Sequence, residues 1–124
     1  MTPFGARLRA LRAERGVTLK DMAAALGVSS AYLSALEHGK RGRPTWAMVQ
    51  SIIQYFNIIW DEADELLRLA EMSDPRVVVE TASLSPQATL VANRLAADIT
   101  ILSDAELEAL LAILDGARSR AARS

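Results

Sequence analysis

The chain has 124 residues, no cysteine and one histidine, His38. Disulfide scaffolds, thiolate-held zinc or iron–sulfur centres and thiol nucleophiles are therefore excluded. No apolar run approaches the roughly 18–20 residues needed to span a bilayer. The N-terminus lacks an apolar segment ending in a small-residue cleavage site. A cytoplasmic protein without membrane association is expected. Strand-like alternation is nearly missing, and so are internal repeats and low-complexity stretches. There is no phosphate-cradling glycine loop, no dinucleotide fingerprint and no Ser/His/Asp set in a workable context. The chain therefore reads as a non-enzyme with no catalytic residue, no cofactor and no metal. His38 is alone in a basic loop, and the acidic group Asp61, Glu62, Asp64 and Glu65 lacks a glycine-turn ligand loop. Those carboxylates suit the first turn of a helix, where they complement its dipole.

What is present points to a folded, charged and mostly helical chain. Hydrophobic residues make up 51% and charged residues 23%, which excludes disorder as the default. The formal net charge of −1 conceals a split. Residues 1–43 hold eight Lys/Arg against three Asp/Glu, a net of +5; residues 44–124 hold six against twelve, a net of −6. Halves of opposite sign suggest that the first half meets a polyanion and the second does not.

Caps and apolar spacing predict seven helices. Thr2-Pro3 opens the first, with Phe4, Leu8 and Leu11 inward and Gly16 as its left-handed stop. The first helix also carries Arg7 and Arg9, which read as solvent face and electrostatic footprint. Thr18 opens a second helix, with Asp21 three residues on and Met22, Ala23 and Leu26 inward; Gly27 ends it. Ser29 opens a third, with Leu33 and Leu36 inward, closed by Gly39. The loop from His38 to Pro44 is glycine-broken and basic. A fourth helix is expected over about Thr45 to Phe56, with Trp46, Val49, Ile52, Ile53 and Phe56 inward. A fifth is expected over about Asp61 to Met72, with Ala63, Leu66, Leu67 and Ala70 inward and Trp60 in the core.

Asp74-Pro75 then breaks the chain. Val77, Val78 and Val79 could be an extended connector or a strand pairing across a dimer. Ser85-Pro86 starts a sixth helix with Val91, Leu95 and Ile99 at spacing four. Ser103 and Glu106 form a capping box opening a seventh, with Leu107, Leu110, Leu111 and Leu114 on one side. The last arginines, Arg118, Arg120 and Arg123, suit a fraying helix end. The expected domains are 1–73, a linker over 74–84 and a helical extension over 85–124.

Residues 18–39 carry the functional signal. Two short helices meet at a turn where Gly27 permits a positive φ that a Cβ would penalise. Ala23 allows the backbones to approach, and Val28 and Leu33 plug the crossing, so the third helix projects outward. A helix presented in this way can enter a major groove.

The stretch T-L-K-D-M-A-A-A-L-G-V-S-S-A-Y-L-S-A-L-E-H-G resembles the lambda-repressor-like helix-turn-helix regulators, the Cro/C-type repressors and XRE family. The likeness extends upstream through Leu8–Arg12 and downstream to about Met72. It implies an all-α, five-helix DNA-binding domain followed by a two-helix extension. It further implies that Ser30, Ala31, Tyr32, Ser34 and Ala35 face base edges. Thr18, Leu19, Lys20, Ser29, His38, Lys40, Arg41 and Arg43 would serve phosphates, partly through main-chain amides. Glu37 would pair with Arg12 beneath the recognition helix. Leu19 stands where many relatives carry Gln, and Ala31 and Ala35 stand where relatives often carry longer polar side chains. Direct readout should therefore be thin, leaving much of the specificity to DNA shape and half-site spacing.

A single short recognition helix binds weakly, so two copies on a palindromic double-stranded operator are expected. The candidate dimer interface is Val91, Leu95, Ile99, Leu107, Leu110, Leu111 and Leu114; packing of these residues within the chain is the alternative. The resulting expectation is a homodimeric transcription regulator that represses by covering a promoter. The alternative is an antitoxin or adaptor whose C-terminal helices bind a partner protein.

Overall fold

The computed structural model describes residues 1–40 and 42–124. They divide into two units, 1–77 and 78–124. All regular structure among them is helical, and no helix is long and apolar enough to cross a membrane. The expected all-α class, with five helices and then a two-helix extension, is what the chain adopts.

In the first unit, α1 spans Pro3–Arg15, α2 Leu19–Leu26, α3 Ser30–Glu37, α4 Trp46–Phe56 and α5 Trp60–Glu71. Four of the five start at a hydroxyl that accepts a hydrogen bond from an amide three residues on: Thr2, Thr18, Ser29 and Thr45. Each cap satisfies an amide that the helix itself leaves unpaired. Gly27 stops α2 at φ +73°, in the left-handed region where a side chain is disfavoured. The core draws on every helix: Phe4, Leu8 and Leu11 from α1, Met22 and Ala23 from α2, Leu33 and Leu36 from α3, Val49, Ile52 and Phe56 from α4, and Leu66 and Ala70 from α5.

Polar ties fix the edges of this core. The buried Ser73 hydroxyl accepts from the Phe4 amide at 2.9 Å and donates to the Leu69 carbonyl at 2.5 Å. It thus joins the end of α5 to the start of α1. Arg15 donates to the Phe56 carbonyl at 2.8 Å, covering the end of α4. At Gly5 the helices come unusually close. A Cβ built there would lie 1.8 Å from the Glu37 carbonyl oxygen, so α1 and the end of α3 touch backbone to backbone.

Two aromatic expectations are overturned. Trp46 and Trp60 are 71% and 81% exposed rather than core. Trp46 is the first residue of α4, and side chains on a helix tilt toward its N-terminus, so the indole projects past the core. There it walls an open groove of about 380 Å³ with Val49, Leu67 and Ala70. Trp60 opens α5 at φ +55°, and its ring lies in solvent. Ile58, in the link between α4 and α5, is buried at 6% exposure and joins the core instead. Ile53, Ala63 and Leu67 pack at the core margin rather than within it.

In the second unit, α6 spans Pro86–Asp98, a 3₁₀ turn covers Ile99–Ile101, and α7 spans Asp104–Ala122. Helix α7 carries Arg118 and Arg120 within its length, and Arg123 follows its last residue. Residues 77–79 form no strand. Ser85 caps α6. Ser103 and Glu106 complete the expected capping box, with bonds of 3.2 and 2.9 Å. The Ser103 amide, and then its hydroxyl, hold the Glu106 carboxyl below the ordinary glutamate range. This cap is intact above that range and weakens as pH falls through the lowered value. No residue of α6, the 3₁₀ turn or α7 is buried, and α6 and α7 share no extended packing.

Candidate nucleic-acid interface

Helix α3 is held from below and exposed at its start. Leu33, Leu36 and Glu37 are buried and anchor it. Ser30 and Ala31 are exposed, and Tyr32, Ser34 and Ala35 are half-buried along its flank. The structure thus gathers Ser30, Ala31, Tyr32, Ser34 and Ala35 on one short helix. Ser29 starts that helix by accepting from the Tyr32 amide at 3.0 Å. Thr18 does the same for α2, accepting from Asp21 at 3.0 Å. Thr18, Lys20 and Ser29 are exposed, and Leu19 is half-buried against the core.

At the far end of α3 the chain turns into the basic loop. Lys40 and Arg43 are exposed there, and Gly39 and Gly42 bend the backbone at φ +78° and +73°. Arg41 lies outside the described residues. His38 directs Nδ1 at the Ser34 carbonyl, to which it donates at 2.8 Å; its Nε2 faces Arg9 Nη2 at 3.5 Å.

Beneath α3 lies a two-point ion pair. Arg12 donates from Nε to Glu37 Oε2 at 2.8 Å and from Nη2 to Oε1 at 3.0 Å. The Glu37 side chain is 1% exposed and that of Arg12 15%. Two parallel bonds give this pair orientation as well as energy. Arg9 adds a second cation, its Nε 3.7 Å from Glu37 Oε1. Sequence reasoning placed Arg9 only in a general basic footprint. Its position over Glu37 and His38 depends on how α1 crosses α3, for which no local motif exists. Glu37 therefore faces its own protein, not a ligand, and its charge is matched by α1. Among the described residues, no cluster of His, Asp or Glu converges as a metal site would require.

A family profile described as "Helix-turn-helix domain" matches residues 3–66, the span from the start of α1 into α5. The chain belongs to the helix-turn-helix family. The resemblance drawn from Thr18–Gly39 is thereby borne out. Over 61 residues the chain is 41% identical to the HTH-type transcriptional repressor RghR of Bacillus subtilis (strain 168), covering 49% of this chain and 45% of that one. Over 59 residues it is 39% identical to the HTH-type transcriptional regulator YazB of the same organism, covering 48% of this chain and 84% of that one. This helix-turn-helix chain thus spans less than half the length of RghR. Among solved structures, a chain of a SinR protein/SinI protein complex aligns over 94% of this chain and 98% of its own, at a TM-score of 0.45 and 18% identity.

Proposed function

We propose that this protein is a sequence-specific double-stranded DNA-binding transcription regulator that acts as a homodimer and represses by covering promoter DNA. One observation carries the reading: α3 is anchored through Leu33, Leu36 and Glu37 while Ser30 and Ala31 stand in solvent beside the exposed cations Lys40 and Arg43. A helix held in this way can enter a major groove while neighbouring cations grip phosphates. Ser30, Tyr32 and Ser34 set register on base edges, and Ala31 and Ala35 meet no more than a thymine methyl. The amides opening α2 and α3, at Thr18, Leu19, Lys20 and Ser29, serve phosphates together with His38, Lys40, Arg41 and Arg43. The homodimer is supported by the second unit, which buries no side chain by itself. Val91, Leu95, Ile99, Leu107, Leu110, Leu111 and Leu114 are the candidate interface. Two copies would place their α3 helices about 34 Å apart, one turn of a palindromic operator.

A titration with DNA from the protein's own promoter, at two salt concentrations, tests the reading. Affinity should fall steeply with salt, with a log–log slope of about −0.9 for each phosphate contact. Lys40→Ala and Arg43→Ala should each reduce that slope by about one contact and weaken operator and unrelated duplex alike. Single alanine variants of Ser30, Tyr32 and Ser34 should each retain most of the operator preference, because shape and spacing carry it. A protein that ignores duplex DNA even in dilute buffer would reject this function. The exposed apolar faces of α6 and α7 would then fit the adaptor alternative, with a different protein as partner.

A further inference from the structure

Helix α7 carries one charge order on two edges. Asp104, Leu111 and Arg118 follow at intervals of seven residues, and so do Glu106, Ile113 and Arg120. Positions seven apart on an α-helix lie on nearly one line, drifting by about 20°. Each set is therefore a row reading acid, aliphatic, arginine. Between the rows run Leu107, Leu110, Leu114 and Ala117, the spacing of a heptad seam. In that frame the two rows are the edges that flank the seam.

We propose that two copies of the chain pair through α7 in antiparallel orientation, with the two-fold axis passing beside Leu111 and Ile113. This rests on the homodimer reading and specifies its geometry. In an antiparallel helix pair each edge faces the same edge of the other copy. Asp104 then meets Arg118 of the other copy and Glu106 meets its Arg120, each twice by symmetry. At the axis, Leu111 meets Leu111 and Ile113 meets Ile113. Leu110 packs on Leu114 and Leu107 on Ala117. All three lines close at one register. A parallel pair would instead set Glu106 against Leu111 and Ile113 against Arg118, and would form none of the four ion pairs.

Three observations support this arrangement. Leu111 and Ile113, the centres of the rows, are 57% and 67% exposed among the described residues. Asp104, Arg118 and Arg120 have no ion-pair partner among the described residues; the one pair in this unit is Arg94–Asp98. Glu106 uses Oε1 in its own cap, which leaves Oε2 for an arginine. Acids first and arginines last also complement a helix dipole. The dipole, however, demands neither the seven-residue register nor an aliphatic residue midway along each row.

The absence of cysteine makes single-cysteine cross-linking in the full chain a clean test. Ile113→Cys and Leu111→Cys should each form covalent dimers with a short bis-maleimide. Leu107→Cys should not, because its two copies lie ten residues apart along the pair, about 15 Å. Arg118→Glu/Arg120→Glu should weaken self-association at least tenfold in sedimentation. If the native chain sediments as a dimer yet Leu107→Cys cross-links as well as Ile113→Cys, the pairing is parallel. If neither Ile113→Cys nor Leu111→Cys cross-links in a dimer, α7 is not the seam. Both outcomes overturn this geometry and leave the homodimer standing. A native monomer at tens of micromolar overturns the homodimer as well.

Discussion

Gly5→Ala is expected to destabilise the first unit by about 3 kcal/mol or more, the upper range for overpacking, with the loss read from urea denaturation. Helix propensity alone argues the other way, since alanine is favoured over glycine inside a helix by about 1 kcal/mol. Packing reverses the sign. The added methyl would sit 1.8 Å from the Glu37 carbonyl oxygen and 2.6 Å from its carbonyl carbon. Backbone on the far side cannot rotate away as a side chain could, so α1 and α3 must separate. That separation would open the core around Phe4, Leu8 and Leu36, and it would move α3 itself. DNA affinity should therefore fall with stability, although Gly5 is buried and touches no ligand. A Gly5→Ala protein as stable as the native chain would show that the helices can part freely.

Arg12→Met should cost about 3–5 kcal/mol, the range for stripping one partner from a buried pair. It leaves the Glu37 carboxylate, 1% exposed, without its two-point donor. Arg9, 3.7 Å away, supplies part of the missing charge, so Arg9→Ala added to Arg12→Met should deepen the loss. Glu37→Leu should cost less, because Arg12 lies at the edge of the core and can turn toward water. The double variant Arg12→Met/Glu37→Leu should recover much of the stability, since it leaves no unpaired charge. A double-mutant cycle in urea measures the coupling. Additive losses would mean the pair contributes nothing beyond its separate side chains.

Helix starts are legible in the sequence because neighbours set them. Thr2, Thr18, Ser29, Thr45, Ser85 and Ser103 each cap through an amide three residues away. The outward face of α3 is legible for the same reason: Gly27 and the spacing of Leu33 and Leu36 decide which side is buried. Contacts between distant segments are harder. The need for glycine at position 5 arises at Glu37, and nothing near Gly5 announces it. Trp46 and Trp60 fall at helical spacing, yet both begin a helix, where periodicity no longer fixes direction. The Arg12–Glu37 pair spans 25 residues and follows from family resemblance rather than from periodicity. The heptad rows of α7 are written in the sequence. They gain meaning only once Leu111 and Ile113 are known to stand in solvent.

The second unit has no interior of its own, and this sets the terms of its thermodynamics. Two helices without a core cannot offset the entropy of ordering their backbones. If a second copy supplies the missing contacts, folding of residues 78–124 becomes a bimolecular event. Its melting temperature would then climb with protein concentration while that of the first unit stays fixed. A calorimetric scan at serial dilutions should resolve two endotherms, of which only one migrates.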